Sequence, residues 1–244
     1  MTPKKPPTVL AESREERASA AAGTRSVEAP SAEPGARTGL AREIAGHAPL
    51  VLASLAVLAI GSTALAVAWF VASRLAYVLF VGLSLRAESR SRALSRREGP
   101  EVAWRRFRDR AARLMFSDAV ALGVLCIVTR GTLALPGGPW LPIAGGGVLI
   151  VLGVGIKLWA TASLDAGTFY WRDFFVPAEE RNFSVSGPYR WISNPMYSVG
   201  YAHAYGFALV LGSTPGLIGS LFAQVAIALL AVLVERPHVR RLER

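Results

Sequence analysis

Polar residues that could do chemistry stand at both ends of an apolar C-terminal stretch. The sequence reads Gly-Pro-Tyr-Arg at 187–190 and Ser-Asn-Pro-Met-Tyr at 193–197, and a carboxylate, Glu235, follows the stretch. An amide such as Asn194 and a carboxylate can hold amino or hydroxyl groups, and Arg190 can bind a carboxylate through two hydrogen bonds. Lipid-facing structure has no use for such groups, so their pattern indicates a binding site.

These residues come together only if the apolar stretch folds back on itself. Pro195–Leu211 and Leu217–Val234 are both apolar, and Gly-Ser-Thr-Pro-Gly at 212–216 predicts a turn between them. We therefore predict a C-terminal helical hairpin that returns Glu235 to the depth of Asn194. We also expect Asn194 to cap the first arm, whose free backbone N–H groups would then form an anion site.

Further candidates lie inside the spans. Tyr197, Tyr201 and Tyr205 recur every four residues and share one side of the first arm. His203 lies on the same arm, and a histidine in a span either functions or bonds a neighbouring helix. Lys157 either snorkels to the surface or pairs with a ligand carboxylate or a lipid phosphate. The sequence leaves these alternatives open.

The composition shows what kind of elements carry these residues. Of the 244 residues 52% are hydrophobic and 18% are charged, and several apolar stretches exceed the roughly 20 residues that cross a bilayer core. The sequence predicts an all-α, polytopic membrane protein with about five transmembrane helices. No Rossmann domain is expected, because Gly153-Val154-Gly155 neither follows a strand nor opens a helix. The other predicted spans are Pro49–Ser73, continued as a helix with Arg74 snorkelling, Leu114–Leu135 and Trp140–Leu164.

Three segments follow from these spans. Residues 1–47 lack apolar periodicity and predict a disordered N-terminal tail. Residues 48–113 hold the first transmembrane helix and an Arg-rich cytoplasmic segment, and residues 114–244 hold the transmembrane core.

The charge distribution favours lipid over nucleic acid as a partner. The net charge is +10, and residues 86–113 hold ten arginines against four acidic residues. Because these arginines lie beside apolar spans, they predict a cytoplasmic segment that contacts anionic headgroups, with Trp104 and Phe107 on the membrane surface. A metal site is not expected, since His47, His203 and His238 are scattered.

The motifs resemble the membrane methyltransferase superfamily, which includes phosphatidylethanolamine N-methyltransferases and isoprenylcysteine carboxyl methyltransferases. The resemblance rests on Gly187-Pro188-Tyr189-Arg190, Asn194-Pro195-Met196-Tyr197, the Ser-Thr-Pro-Gly turn and Glu235, and it covers about residues 115–240. Isoprenylcysteine enzymes usually have Arg-His-Pro where Ser193-Asn194-Pro195 stands, so the phosphatidylethanolamine enzymes are the more similar branch. The paired glutamates typical of the family are here Val234-Glu235.

The resemblance implies that S-adenosylmethionine binds near the cytoplasmic ends of the last helices and that a lipid enters from the bilayer. It implies catalytic roles for Glu235, Tyr197 and His203. The cofactor-binding residues that it implies are Gly153, Gly155, Tyr189, Arg190, Asn194, Pro195, Tyr197 and Glu235.

The function most favoured by the resemblance is N-methylation of phosphatidylethanolamine. The alternatives are carboxyl O-methylation of an isoprenylcysteine-type acid, a relative of sterol reductases, and a non-enzymatic scaffold whose Arg-rich segment binds lipid. We expect an integral protein of the bacterial inner (plasma) membrane with its active site facing the cytoplasm. The sequence does not define the oligomeric state.

Overall fold

The computed structural model describes residues 34–134, 138–164, 170–176 and 187–242. The chain divides into two compact units, Met1–Ile44 and Ala45–Arg244, and the contacts below lie within the second. The α-helices are α1 (Pro34–Ile60), α2 (Thr63–Ser91), α3 (Ala93–Glu98), α4 (Pro100–Val128), α5 (Trp140–Ala162), α6 (Ala202–Val210), α7 (Thr214–Leu230) and α8 (Arg236–Leu242), with a π-helical turn, Ala231–Glu235, between the last two.

The described residues form helices, turns and loops without strands, which confirms the predicted all-α class. Four helices are long and apolar enough to cross a bilayer: α2, α4, α5 and the continuous run Thr214–Arg241. The apolar part of α1, Ala45–Ile60, is shorter than these four helices. The protein is therefore an integral membrane protein of the polytopic helical kind.

The first apolar stretch is broken into two helices, so the predicted span Pro49–Ser73 is wrong. Gly61 has a φ of +68°, a left-handed conformation that ends α1, and the side chain of Ser62 caps α2. Trp69 Nε1 donates a hydrogen bond of 3.1 Å to Ser54 Oγ, so the two helices run antiparallel. The stretch accommodates two helices because α2 extends beyond it into the Arg-rich segment that follows.

The Arg-rich segment 86–113 is helical along most of its length. It comprises the end of α2, all of α3 and the first half of α4. The buried Glu88 carboxylate caps α3, because its Oε2 accepts hydrogen bonds from Leu94 N (3.0 Å) and Ser95 N (3.3 Å). Phe107, which we expected on the membrane surface, is only 3% exposed and stacks on Phe80 in the core.

The predicted segment boundaries stay predictions, although two of them fall inside helices. The boundary between residues 47 and 48 lies inside α1, which begins at Pro34, and residues 1–33 lie outside the described part of the chain. The boundary between residues 113 and 114 falls inside α4.

The C-terminal hairpin is present, but its first arm is shorter than predicted. In place of Pro195–Leu211 the α-helix covers only α6, preceded by the 3₁₀ turn Val199–Tyr201. The hairpin turns at Ser213, whose Oγ accepts a hydrogen bond of 2.8 Å from Gly216 N and caps α7.

Glycines allow α5 and α6 to pack backbone against backbone. A Cβ on Gly146 would lie 2.6 Å from the carbonyl oxygen of Gly206, so neither position accepts a side chain without a shift. This close packing also sets the residues that begin the first arm against the second, C-terminal half of α5.

Candidate functional site

Glu235 is the centre of a hydrogen-bonded group that we call the Glu235 cluster, formed with Trp171 and Tyr197. Its Oε1 accepts hydrogen bonds from the Tyr197 hydroxyl (2.9 Å) and from Trp171 Nε1 (2.8 Å). The hairpin therefore brings Tyr197 and Glu235 together, as the spacing predicted. Both donors are neutral, so they orient the carboxylate without cancelling its charge.

Aromatic contacts with Phe107 on α4 position Trp171. The Phe107 ring lies 6.0 Å from the Trp171 ring and 5.0 Å from the Phe175 ring, measured between centroids. Arg172 forms an ion pair with Glu101, which fastens the same segment to α4. The sequence analysis did not identify Trp171, because its part in the cluster depends on this packing.

Asn194 and Pro195 build a turn beneath Tyr197. Asn194 Oδ1 accepts a hydrogen bond of 3.3 Å from Tyr197 N, so the amide does cap this turn. The backbone N–H of Ser198 donates to the Asn194 carbonyl, and that of Gly200 donates to the Pro195 carbonyl. These three donors bond within the turn and are not free for an anion, and the anion site expected here stays a prediction.

The Gly-Pro-Tyr-Arg motif forms a 3₁₀ turn, and its two functional candidates differ in position. Tyr189 is half-buried, and partial burial raises the pKa of its phenol, as does the negative charge of nearby Glu235. Tyr189 therefore remains a neutral hydrogen-bond donor near Glu235. Arg190 is exposed, and its guanidinium lies 5.8 Å from the centroid of the Trp191 ring.

A second group, the Arg74 cluster, consists of Arg74, Asp118 and Tyr201. Arg74 Nη2 lies 2.6 Å from Asp118 Oδ2, and the two side chains are only 3% and 8% exposed. The same nitrogen donates a hydrogen bond of 2.9 Å to the Tyr201 hydroxyl. The prediction that Arg74 snorkels is wrong, because a carboxylate on the neighbouring helix pairs with it inside the bundle.

A cavity of ≈ 280 Å³ connects the two clusters. This volume is close to the lower end of ordinary small-molecule sites, about 300 Å³. Charged and aromatic side chains both contribute to its wall, a combination suited to a ligand with ionic groups. Its polar and aromatic lining consists of Arg74, Tyr77, Asp118, Lys157, Thr161, Trp171, Tyr197, Tyr201 and His203.

The remaining predicted residues lie at different distances from this cavity. His203 lines it, with Nδ1 2.6 Å from the Gly200 carbonyl oxygen. Gly153 is buried, and a Cβ there would collide with the backbone nitrogen of His203, so this glycine sets the spacing of α5 and α6. Gly155 is exposed, has open space at its Cβ position and does not line the cavity.

The sequence analysis did not identify Asp118 either. A signal was available, because Arg74, Asp118 and Lys157 are ionisable residues within or next to apolar stretches. Charges of opposite sign in different spans predict an intramembrane pair, but the sequence does not specify which spans are neighbours.

Residues 141–242 match the family model described as phospholipid methyltransferase. The matched segment contains Tyr197 and Glu235, and the match confirms the resemblance to the membrane methyltransferase superfamily over this part of the chain. Trp171 also lies within it, whereas Arg74 and Asp118 lie outside it.

Curated proteins similar to this chain carry the name phosphatidylethanolamine N-methyltransferase. That of Pyricularia oryzae is 31% identical over 143 residues, which are 57% of this chain and 14% of that protein. That of Candida tropicalis is 29% identical over 148 residues, 58% of this chain and 17% of that protein. The chain thus spans less than a fifth of the length of these relatives. No solved structure matches the chain.

Proposed function

We propose that this protein is a membrane methyltransferase that uses S-adenosylmethionine to methylate the amine of phosphatidylethanolamine. The observation that carries the proposal is the Glu235 carboxylate, held by Trp171 and Tyr197 beside a cavity with charged and aromatic walls. It lies in the segment that matches the phospholipid methyltransferase family. The names of the fungal relatives support the choice of lipid.

The residues present suit S-adenosylmethionine, which when bound supplies a methyl group on a positively charged sulfur. A carboxylate and the faces of Trp171 and Tyr197 favour a cation. Glu235 and Tyr189 would hold hydroxyl or amino groups of the cofactor, and Gly153, Asn194 and Pro195 shape the backbone around them. Cofactor contacts of Gly155 and Arg190 stay predictions from the sequence, as both residues are exposed.

His203 is the residue that we assign to accept the proton of the substrate amine. The amine must be neutral to attack a carbon, so its ammonium has to lose a proton first. Because His203 Nδ1 lies 2.6 Å from the Gly200 carbonyl oxygen, that nitrogen carries the hydrogen when the ring is neutral. The Nε2 atom is then the acceptor. Tyr197 holds Glu235 in position during this step.

We further propose that the Glu235 cluster faces the cytoplasm. The Arg-rich residues lie at the same end of the protein, since Arg92 Nη2 donates a hydrogen bond of 3.3 Å to the Phe175 carbonyl oxygen, four residues from Trp171. The arginines of 86–113 favour the cytoplasmic leaflet and its anionic headgroups. A bacterial inner membrane stays a prediction, because the relatives compared are fungal.

The test is methyl transfer by the full chain in phosphatidylethanolamine nanodiscs with methyl-labelled S-adenosylmethionine. We expect label in the mono-, di- or trimethylated lipid, detected by mass spectrometry, with a large loss of label in Glu235→Gln. Glu98→Gln is the matched control, because Glu98 forms an exposed ion pair with Arg106. The absence of both labelled lipid and cofactor binding would refute the proposal, and a base-labile product would indicate a carboxyl ester instead.

A further inference from the structure

Lys157 is a cation of the cavity wall that contacts no anionic group among the described residues. Its Nζ lies 5.3 Å from the centroid of the Tyr201 ring, and among the described residues it forms no ion pair or hydrogen bond. Its aliphatic stem lies against Gly200, where a Cβ would come within 3.0 Å of Lys157 Cγ. A half-buried ammonium in a low-dielectric wall favours an anion as its partner.

The Arg74 cluster has unused hydrogen-bonding atoms in the same wall. Asp118 Oδ2 is occupied by Arg74, whereas Asp118 Oδ1 and Arg74 Nε are buried and have no hydrogen-bond partner in the described part of the chain. Buried polar atoms of this kind are uncommon in native proteins and indicate a ligand or ordered water. The cavity therefore offers an acceptor for a cation as well as a donor for an anion.

The charges of the wall define the ligand class. Arg74 and Asp118 neutralise each other, which leaves Lys157 to bind an anion and Asp118 Oδ1 to accept a hydrogen bond from an ammonium. We propose that the cavity is a subsite for a zwitterionic group, with Lys157 on its anion and Asp118 on its ammonium. This inference rests on the proposed function, which provides two molecules with such a group. They are the lipid, through its phosphoethanolamine headgroup, and S-adenosylmethionine, through its amino-acid end.

Two short-chain lipids that differ only in the amine separate the two contacts. Dihexanoyl phosphatidylethanolamine and dihexanoyl phosphatidylethanol would be titrated into the full chain in detergent by calorimetry, without cofactor. We expect Lys157→Gln to weaken both lipids about tenfold or more, and Asp118→Asn to weaken only the amine-bearing lipid to a similar degree. The matched controls are Arg130→Gln and Asp109→Asn, which change exposed residues, and both should bind as the wild type does.

The ratio of the two lipid affinities is measured within each variant, so a partly unfolded Asp118→Asn sample does not distort it. A parallel titration with S-adenosylmethionine identifies the source: weaker cofactor binding with unchanged lipid binding would keep the subsite and place the amino-acid end there. The inference would be overturned if Lys157→Gln bound both lipids and the cofactor with wild-type affinity. It would also be overturned if Asp118→Asn kept the full preference for the amine-bearing lipid and bound the cofactor as the wild type does.

The outcomes also separate this inference from the proposed function. A wild-type protein that binds the lipids as described but transfers no methyl group would keep the subsite and refute the methyltransferase. A wild-type protein that transfers methyl groups while both variants bind normally would keep the methyltransferase and refute the subsite.

Discussion

The Glu235 cluster and the Arg74 cluster stabilise their charges in different ways. Glu235 accepts hydrogen bonds from the neutral groups of Trp171 and Tyr197, whereas Arg74 pairs with the opposite charge of Asp118. Neutral donors leave a carboxylate its charge for a ligand, and an ion pair cancels most of its own field. The first cluster is therefore suited to a role in the reaction, whereas the second is suited to joining α2 to α4 and orienting a ligand.

The largest expected effect is on stability, at the Arg74 cluster. Arg74→Met should destabilise the protein by about 3–5 kcal/mol, because it leaves the Asp118 carboxylate buried without a counter-charge. The double variant Arg74→Met/Asp118→Leu should recover most of this loss. Both are measured as free energies of unfolding in mixed micelles.

The control for that experiment is Arg106→Met, which breaks an exposed pair with Glu98 and should change the free energy of unfolding by less than about 1 kcal/mol. If the single and the double variant of the Arg74 cluster lower the free energy of unfolding equally, the ion pair is not what stabilises these helices.

The second effect is on catalysis, at the Glu235 cluster. Glu235→Gln keeps an oxygen for Trp171 and Tyr197 but removes the charge, so kcat/KM for methyl transfer should fall roughly 100-fold while the free energy of unfolding hardly changes. A variant that unfolds instead would show that both clusters are structural, and the distinction drawn between them would fail.

The third effect tests how α5 and α6 hold the cavity wall. Gly153→Ala places a methyl group against the His203 backbone and should destabilise the protein by about 1–3 kcal/mol. Gly155→Ala meets open space and should be neutral or stabilising by up to about 1 kcal/mol, since alanine favours a helix. Chemical denaturation compares the two directly, and equal effects would contradict the close packing at Gly153.

The smallest effect concerns a single hydrogen bond. Tyr197→Phe removes one of the two donors to Glu235 and should lower kcat/KM about tenfold, the size expected for a bond to a charged group. Tyr205→Phe is the control, because its hydroxyl donates to Gln224 and not to the carboxylate. Equal rates in Tyr197→Phe and Tyr205→Phe would show that Tyr197 does not position Glu235.

Part of this arrangement was predictable before the structure. The contact between Tyr197 and Glu235 follows from two apolar arms joined by a Ser-Thr-Pro-Gly turn, because the chain must return to the level at which it entered. The helix boundaries were less predictable. The break at Gly61 depends on one residue with a positive φ, and the helical continuation into 86–113 depends on Glu88 and Phe107 being buried.

The sequence by itself determined that the protein is helical and embedded in a membrane, because hydropathy and turn residues act within each segment. It also determined the resemblance of about residues 115–240 to membrane methyltransferases, since a motif is a property of residue order. Only the tertiary structure decided that Arg74 pairs with Asp118, that Lys157 lines the same cavity and that Trp171 reaches Glu235. These contacts depend on the rotation and register of several helices, which the combined packing of their side chains sets.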